Sequence, residues 1–232
     1  MTANKIQQQL DALATPEKKA FLPYFFKTGK GQYGEGDKFL GVVVPDVRKV
    51  AKEYKALSFS ELEQLLKSEY HECRLCALLI LIEQFKKSKD TDREKIYEFY
   101  LANSRYVNNW DLVDLSCYHI VGEHLLDKDR SRLYELADSP LLWDQRIAVV
   151  STMAFIRKND FKDILSLSER LLDHKHDLMH KACGWMLREA GKRDEEILKS
   201  FLDKHHKVMP RTMLRYSIEK LTKEERAHYM KK

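Results

Sequence analysis

Apolar residues recur at i, i+3, i+4 and i+7 along nearly the whole chain, and few stretches alternate with period two. That spacing predicts an all-helical protein. Start signals divide the pattern: Thr15-Pro16 and Val44-Pro45 place proline at a first helical position, and Ser58 to Glu61, Thr91 to Glu94 and Thr222 to Glu225 have capping-box spacing. The predicted helices cover 3–13, 16–27, 45–55, 59–67, 70–87, 92–103, 109–126, 129–137, 141–158, 161–173, 177–190, 194–205, 210–220 and 222–230.

Longer helices alternate with shorter ones. "HECRLCALLILI", "WDLVDLSCYHIV", "WDQRIAVVSTMAFI", "DLMHKACGWMLREA" and "PRTMLRYSIEKL" each open a longer segment. Aligning Arg74, Arg146 and Lys181 gives steps of 72 and 35 residues, a period of about 35 with one unit between the first two. Such a period belongs to helical hairpins of the HEAT class. The expected architecture is an all-α, right-handed helical-hairpin solenoid of HEAT-like repeats, one domain over 1–232, with one helix of each pair lining a concave groove.

Composition narrows the class. With 44% apolar and 33% charged residues, the 232-residue chain reads as a soluble globular protein. Its longest apolar run, Ala77 to Ile82, is far too short to span a bilayer. The N-terminus lacks the apolar core and cleavage site of a secretory signal, so a cytoplasmic location is expected. Lys plus Arg exceed Asp plus Glu by 41 to 36, a net charge of +5 that permits a polyanionic partner without requiring one. Cys73, Cys76, Cys117 and Cys183 are scattered among apolar helical positions, as reduced core thiols would be.

Several motifs resolve to bland readings. Gly29, Gly31 and Gly34 spell G-x-G-x-x-G inside the loop 28–39, but a helix precedes them and more loop follows, whereas a dinucleotide fingerprint needs a strand before and a helix immediately after. A flexible loop near the groove is expected there. His71, Cys73 and Cys76 have no second ligand pair at zinc spacing, and His176 and His180 lack the glutamate of a zincin, so no metal or other cofactor is expected. A Ser or Cys nucleophile signature is likewise lacking.

Trp110 and Asp114, four apart, share a helical face where aliphatic side chains would be usual, with Asp111 beside them. An isolated pair of this kind is most simply a core tryptophan with a capping or ion-paired aspartate. Its company argues otherwise: Trp143 with Arg146 and Trp185 with Arg188 lie on the later long helices assigned to the concave wall.

"NNWDLVDLS", "LLWDQRIAVV" and "ACGWMLRE", in this order, with "TPEKK", "FLG" and "PDVRK" upstream, resemble the AlkD-type DNA glycosylases, HEAT-like repeat proteins of DNA alkylation repair. The resemblance spans about residues 15 to 220. It implies that Trp110 and Trp185 wall the lesion, that Asp114 is the catalytic carboxylate, and that Arg146 grips a backbone phosphate, with Arg48 and Arg188 as further basic positions. Where the family carries an arginine followed by a tyrosine in the second helix, this chain has "PYFFK", so Tyr24 and Phe25 compete for an aromatic contact to DNA and one positive charge is missing.

The implied activity is hydrolysis of the N-glycosidic bond of a cationic alkylpurine, of the 3-methyladenine or 7-methylguanine type, in duplex DNA without base flipping. The implied partner is double-stranded DNA carrying alkylated bases, engaged by a monomer. The alternatives are a non-catalytic DNA-binding protein and a protein-binding scaffold of the same architecture.

Overall fold

The computed structural model describes residues 2–231, and among them regular structure is helical, with one isolated bridge between Lys38 and Tyr70. The chain forms two compact units, residues 1–116 and 117–232.

In the first unit, α1 (Ala3–Asp11), α2 (Pro16–Phe25), α3 (Val44–Glu53), α4 (Phe59–Leu66), α5 (His71–Lys87) and α6 (Asp90–Ala102) follow the expected order, and α7 (Trp110–Cys117) begins there. The centre is α5, which packs against α3, α4, α1 and α6. Every residue from His71 to Ile82 is buried. A helix apolar on all sides is a buried helix, which is why "CALLILI" shows no polar face. By contrast α2 buries none of its residues, leaving Phe21, Tyr24 and Phe25 exposed.

The second unit holds α8 (Ser131–Ala137), α9 (Leu142–Ser151), α10 (Met153–Ile156), α11 (Lys162–Arg170), α12 (Asp177–Gly191), α13 (Glu195–His205), α14 (Arg211–Ser217) and α15 (Lys223–Met230). Here α12 is the organising helix, packed on α14, α13, α9 and α11. Gly184 lets α12 approach α14 closely: a Cβ there would stand 2.5 Å from the Met213 carbonyl oxygen. Helix-pair stacking thus recurs within each unit, as a repeat protein requires.

Local chemistry departs from the sequence expectation at three points. The segment 109–126 is α-helical only to Cys117 and then makes a turn of π-helix at Tyr118–Gly122. The segment 141–158 breaks at Thr152, whose hydroxyl donates to the Val149 carbonyl (2.6 Å), the back-bonding by which a mid-helix threonine competes with the helix ladder. Thr91 is no cap: α6 begins at Asp90, and Asp90 and Asp92 place negative charge in its first turn. Thr222 and Glu225 do form the reciprocal box, whereas Glu61 turns its carboxylate to the Ala3 backbone N–H (2.6 Å) and leaves only Ser58 as the cap of α4.

All four cysteines are buried and form no disulfide. Burial pushes the Cys73 thiol up to about 11 and those of Cys76 and Cys183 to about 12, which makes them inert. No described helix is long and apolar enough to cross a membrane.

Candidate functional site

The chemistry of the first unit gathers where α2, the segment 26–42, the start of α5 and the start of α7 meet. Two residues at the first turn of α5 organise it. Glu72 is 2% exposed, and its carboxylate accepts the backbone N–H groups of Leu40 (2.9 Å), Gly41 (2.8 Å) and Val42 (3.1 Å). Those donors have no ladder to join, so the carboxylate stands in for a paired strand. Gly41 has φ +99°, and a Cβ there would lie 2.6 Å from both the Lys19 nitrogen and the Thr15 oxygen, so only glycine allows this segment to lie against α2.

His71, 2% exposed, bridges two aspartates. Its Nε2 faces Asp111 Oδ2 at 2.8 Å and its Nδ1 faces Asp37 Oδ2 at 3.4 Å. Burial by itself disfavours the imidazolium, but the charge and hydrogen bond of Asp111 and the hydrogen bond of Asp37 outweigh it and push the ring up to about 9. His71 is therefore a cation at neutral pH, donating at both nitrogens. Phe26 and Phe39 flank it with ring centroids 4.9 and 4.8 Å away, a favourable setting for a charged ring.

Asp37 is held in turn by Arg74, whose Nη2 donates at 2.6 Å, and by Asn109, whose Nδ2 donates at 3.3 Å. Burial works to raise the Asp37 carboxyl, yet the His71 hydrogen bond and the Arg74 charge leave it below its ordinary value. Asn109 also ties this network to α7: it is fully buried, and its carbonyl accepts the Val113 N–H (3.1 Å) of the first turn.

Trp110, half-buried, sits on the same assembly. Its ring stacks on Phe26 (5.5 Å), meets Phe25 edge-on (6.1 Å), and its Nε1 donates to the Tyr33 hydroxyl (3.3 Å). Asp114, also half-buried, stands one turn further along α7 on the same face. The structure thus joins Phe25 to Trp110 and leaves Asp114 outside the core. Arg48 on α3 is exposed. The loop 28–39 is a run of turns anchored by Tyr33 and Asp37, with none of the flanking strand and helix of a nucleotide fingerprint.

The remaining expected residues lie in the second unit. Trp185 is half-buried on α12, and Arg188 one turn later is ion-paired with Glu219 and Glu189. Arg146 on α9 is buried and donates to the Leu178 carbonyl at the start of α12. His176 caps α12 by accepting the Leu178 N–H (3.2 Å), and His180 lies 2.5 Å from the His174 carbonyl, so both serve the helix start. Among the described residues, no group of three or more His, Cys, Asp or Glu is placed to hold a metal.

Sequence reading missed the Asp37–His71–Asp111 bridge. Excluding zinc at His71, Cys73 and Cys76 leaves the imidazole without partners, although all three side chains are buried. A histidine opening an otherwise wholly apolar helix was the available signal, since a buried imidazole needs partners.

No curated protein matches this chain in sequence. A solved structure described as a predicted DNA alkylation repair enzyme from Enterococcus faecalis has the same fold, with a TM-score of 0.68 at 16% identity over 90% of this chain and 97% of that one. In sequence, residues 6–221 match the family described as DNA alkylation repair enzyme. Given a match across nearly its whole length and a helical fold shared with that structure, this chain belongs to the DNA alkylation repair enzyme family.

Proposed function

We propose that the protein is a DNA glycosylase that removes cationic alkylpurines from duplex DNA. The observation that carries this reading is the surface pairing on α7: a half-buried indole, backed by Phe25 and Phe26, one turn from a half-buried carboxylate. Family membership supplies the context of alkylation repair.

The reaction suits that pairing. A purine alkylated at N3 or N7 already carries positive charge, so it leaves with the C1′–N bonding electrons as a neutral base and needs no general acid. Water then bonds to C1′ and its proton passes to solvent, leaving a neutral base and a neutral abasic sugar. What the protein must supply is stabilisation of the positive charge that develops on the sugar, and a carboxylate in a partly dry setting does so electrostatically. Asp114 takes this role and orients the water. The indole face of Trp110 attracts the cationic base by roughly 0.5–2 kcal/mol, which separates alkylated from neutral purines by charge.

Release of 3-methyladenine or 7-methylguanine from methylated duplex tests the proposal. Excision by the wild-type protein that drops sharply in Asp114→Asn is the expected result. Duplex binding with no excision by the wild type would favour the non-catalytic DNA-binding reading instead.

A further inference from the structure

A groove of about 410 Å³ runs between α14 and α15, and the proposed reaction does not use it. Its apolar lining is Ile218, Ala227 and Met230. Both ends of α15 are tied down: Thr222 and Glu225 close the capping box at its start, and Arg211 Nη2 donates to the Met230 carbonyl (3.0 Å) at its end. The buried Tyr229 adds a third tie, its hydroxyl donating to Asp203 (3.0 Å). The groove is therefore formed by the fold before anything enters it.

Charge along this groove is one-sided. Arg215, Lys223 and Arg226 line it, with Glu219 as the one carboxylate. Glu219 is already answered by two cations from outside the lining, Arg188 and Lys220 (3.1 Å). On α15 itself, Glu225 is taken by Lys199 (2.7 Å) and by the capping box, and Glu224 does not line the groove. Among the described residues, no carboxylate is ion-paired with Arg215, Lys223 or Arg226. Three unanswered cations thus surround an apolar floor. A nucleic-acid backbone would meet the cations but has nothing to place on Ile218 and Met230, whereas an acidic peptide with one apolar side chain meets both.

We infer that the α14–α15 groove docks an acidic segment of a partner protein that carries a large apolar side chain among its carboxylates. The apolar anchor enters between Ile218, Ala227 and Met230. Carboxylates meet Arg215 and Arg226 as planar, two-pronged donors and Lys223 as a point charge. Charge selects the segment and the buried anchor holds it. This recruiting function is separate from bond cleavage and does not rest on the glycosylase reading.

Fluorescence anisotropy of the full chain with a labelled Asp-Asp-Glu-Phe-Asp-Asp peptide tests the inference, beside the same peptide with serine for phenylalanine and a Lys-Lys-Arg-Phe-Lys-Lys peptide. The acidic phenylalanine peptide is expected to bind about tenfold more tightly than its serine counterpart, the margin that burial of the ring provides, and the basic peptide not at all. Arg226→Glu reverses one cation and Ala227→Trp fills the floor, both from exposed positions at which thermal unfolding should match the wild type. Each is expected to weaken the acidic phenylalanine peptide by about tenfold or more. No binding of that peptide, equal binding of the serine peptide, or full binding by either variant overturns the inference. So does a loss of duplex DNA binding in Arg226→Glu with peptide binding intact, which would give the groove to nucleic acid.

Discussion

His71 and Asp111 share a 2.8 Å hydrogen bond that joins the first turn of α5 to the first turn of α7. Through it a buried imidazolium, held from its other side by Asp37, fixes the helix that carries Trp110 and Asp114. The position of the candidate site thus depends on an ion pair invisible to helical periodicity.

Stability should fall as pH rises through the titration of that ring. His71 is raised from 6.5 to about 9, so the folded state binds its proton more tightly than the unfolded chain does. The stabilisation is complete below about pH 6.5 and is lost between there and pH 9, by about 3 kcal/mol. The cysteine thiols titrate above this window and the lowered His174 and His176 below it. Urea unfolding at intervals from pH 6.5 to 9 checks this, with a flatter profile in His71→Gln; a wild-type midpoint constant across that range would contradict it.

Glu72→Ala should be among the most damaging single substitutions. It strips three backbone N–H groups of their acceptor in a buried segment, each worth about 1–3 kcal/mol when orphaned. A drop of several kcal/mol in thermal or urea unfolding is the expected result, whereas a loss under about 1 kcal/mol would mean that water replaces the carboxylate.

Gly41→Ala should destabilise by about 2 kcal/mol or more. The residue sits at φ +99°, and the added methyl meets the backbone of Lys19 and Thr15. Gly31→Ala is the control, since it shares the positive φ but meets no neighbouring atom; equal losses in the two variants would leave the close approach without energetic weight.

On the proposed reaction, Asp114→Asn should lower single-turnover excision by about 100-fold or more, the scale on which a group stabilising transition-state charge acts. Trp110→Ala should discriminate less well between alkylated and neutral duplex. Unchanged excision in Asp114→Asn would remove that carboxylate from the mechanism.

Duplex binding should weaken steeply with added salt and be nearly indifferent to sequence, because phosphates release counterions on contact with Lys and Arg. Arg48, exposed on α3, is the cleanest probe. Arg48→Ala should reduce the slope of log affinity against log salt by about one if it meets a phosphate. A slope unchanged in that variant would assign the contact elsewhere.

The sequence by itself determined the helices and their order, because burial on one face repeats every 3.6 residues and leaves its mark on composition. It also marked Trp110 and Asp114, whose types are unusual on a core face, with the family motif that contains them, and Phe25 at a position where the chain departs from that family. It did not reveal the breaks at Thr152 and Tyr118, where one side chain or one turn redirects a ladder whose apolar pattern continues unbroken. Nor could it show that Arg146, which by the family resemblance would meet a backbone phosphate, is buried and donates to the Leu178 carbonyl at the start of α12. Only the tertiary structure decided that Asp37, His71, Arg74 and Asp111 form one ionic assembly beside the rings of Phe26 and Phe39. Asp37 and His71 are 34 residues apart and Asp111 another 40 beyond; periodicity reports which way a side chain faces, whereas partners across such distances are fixed by packing alone.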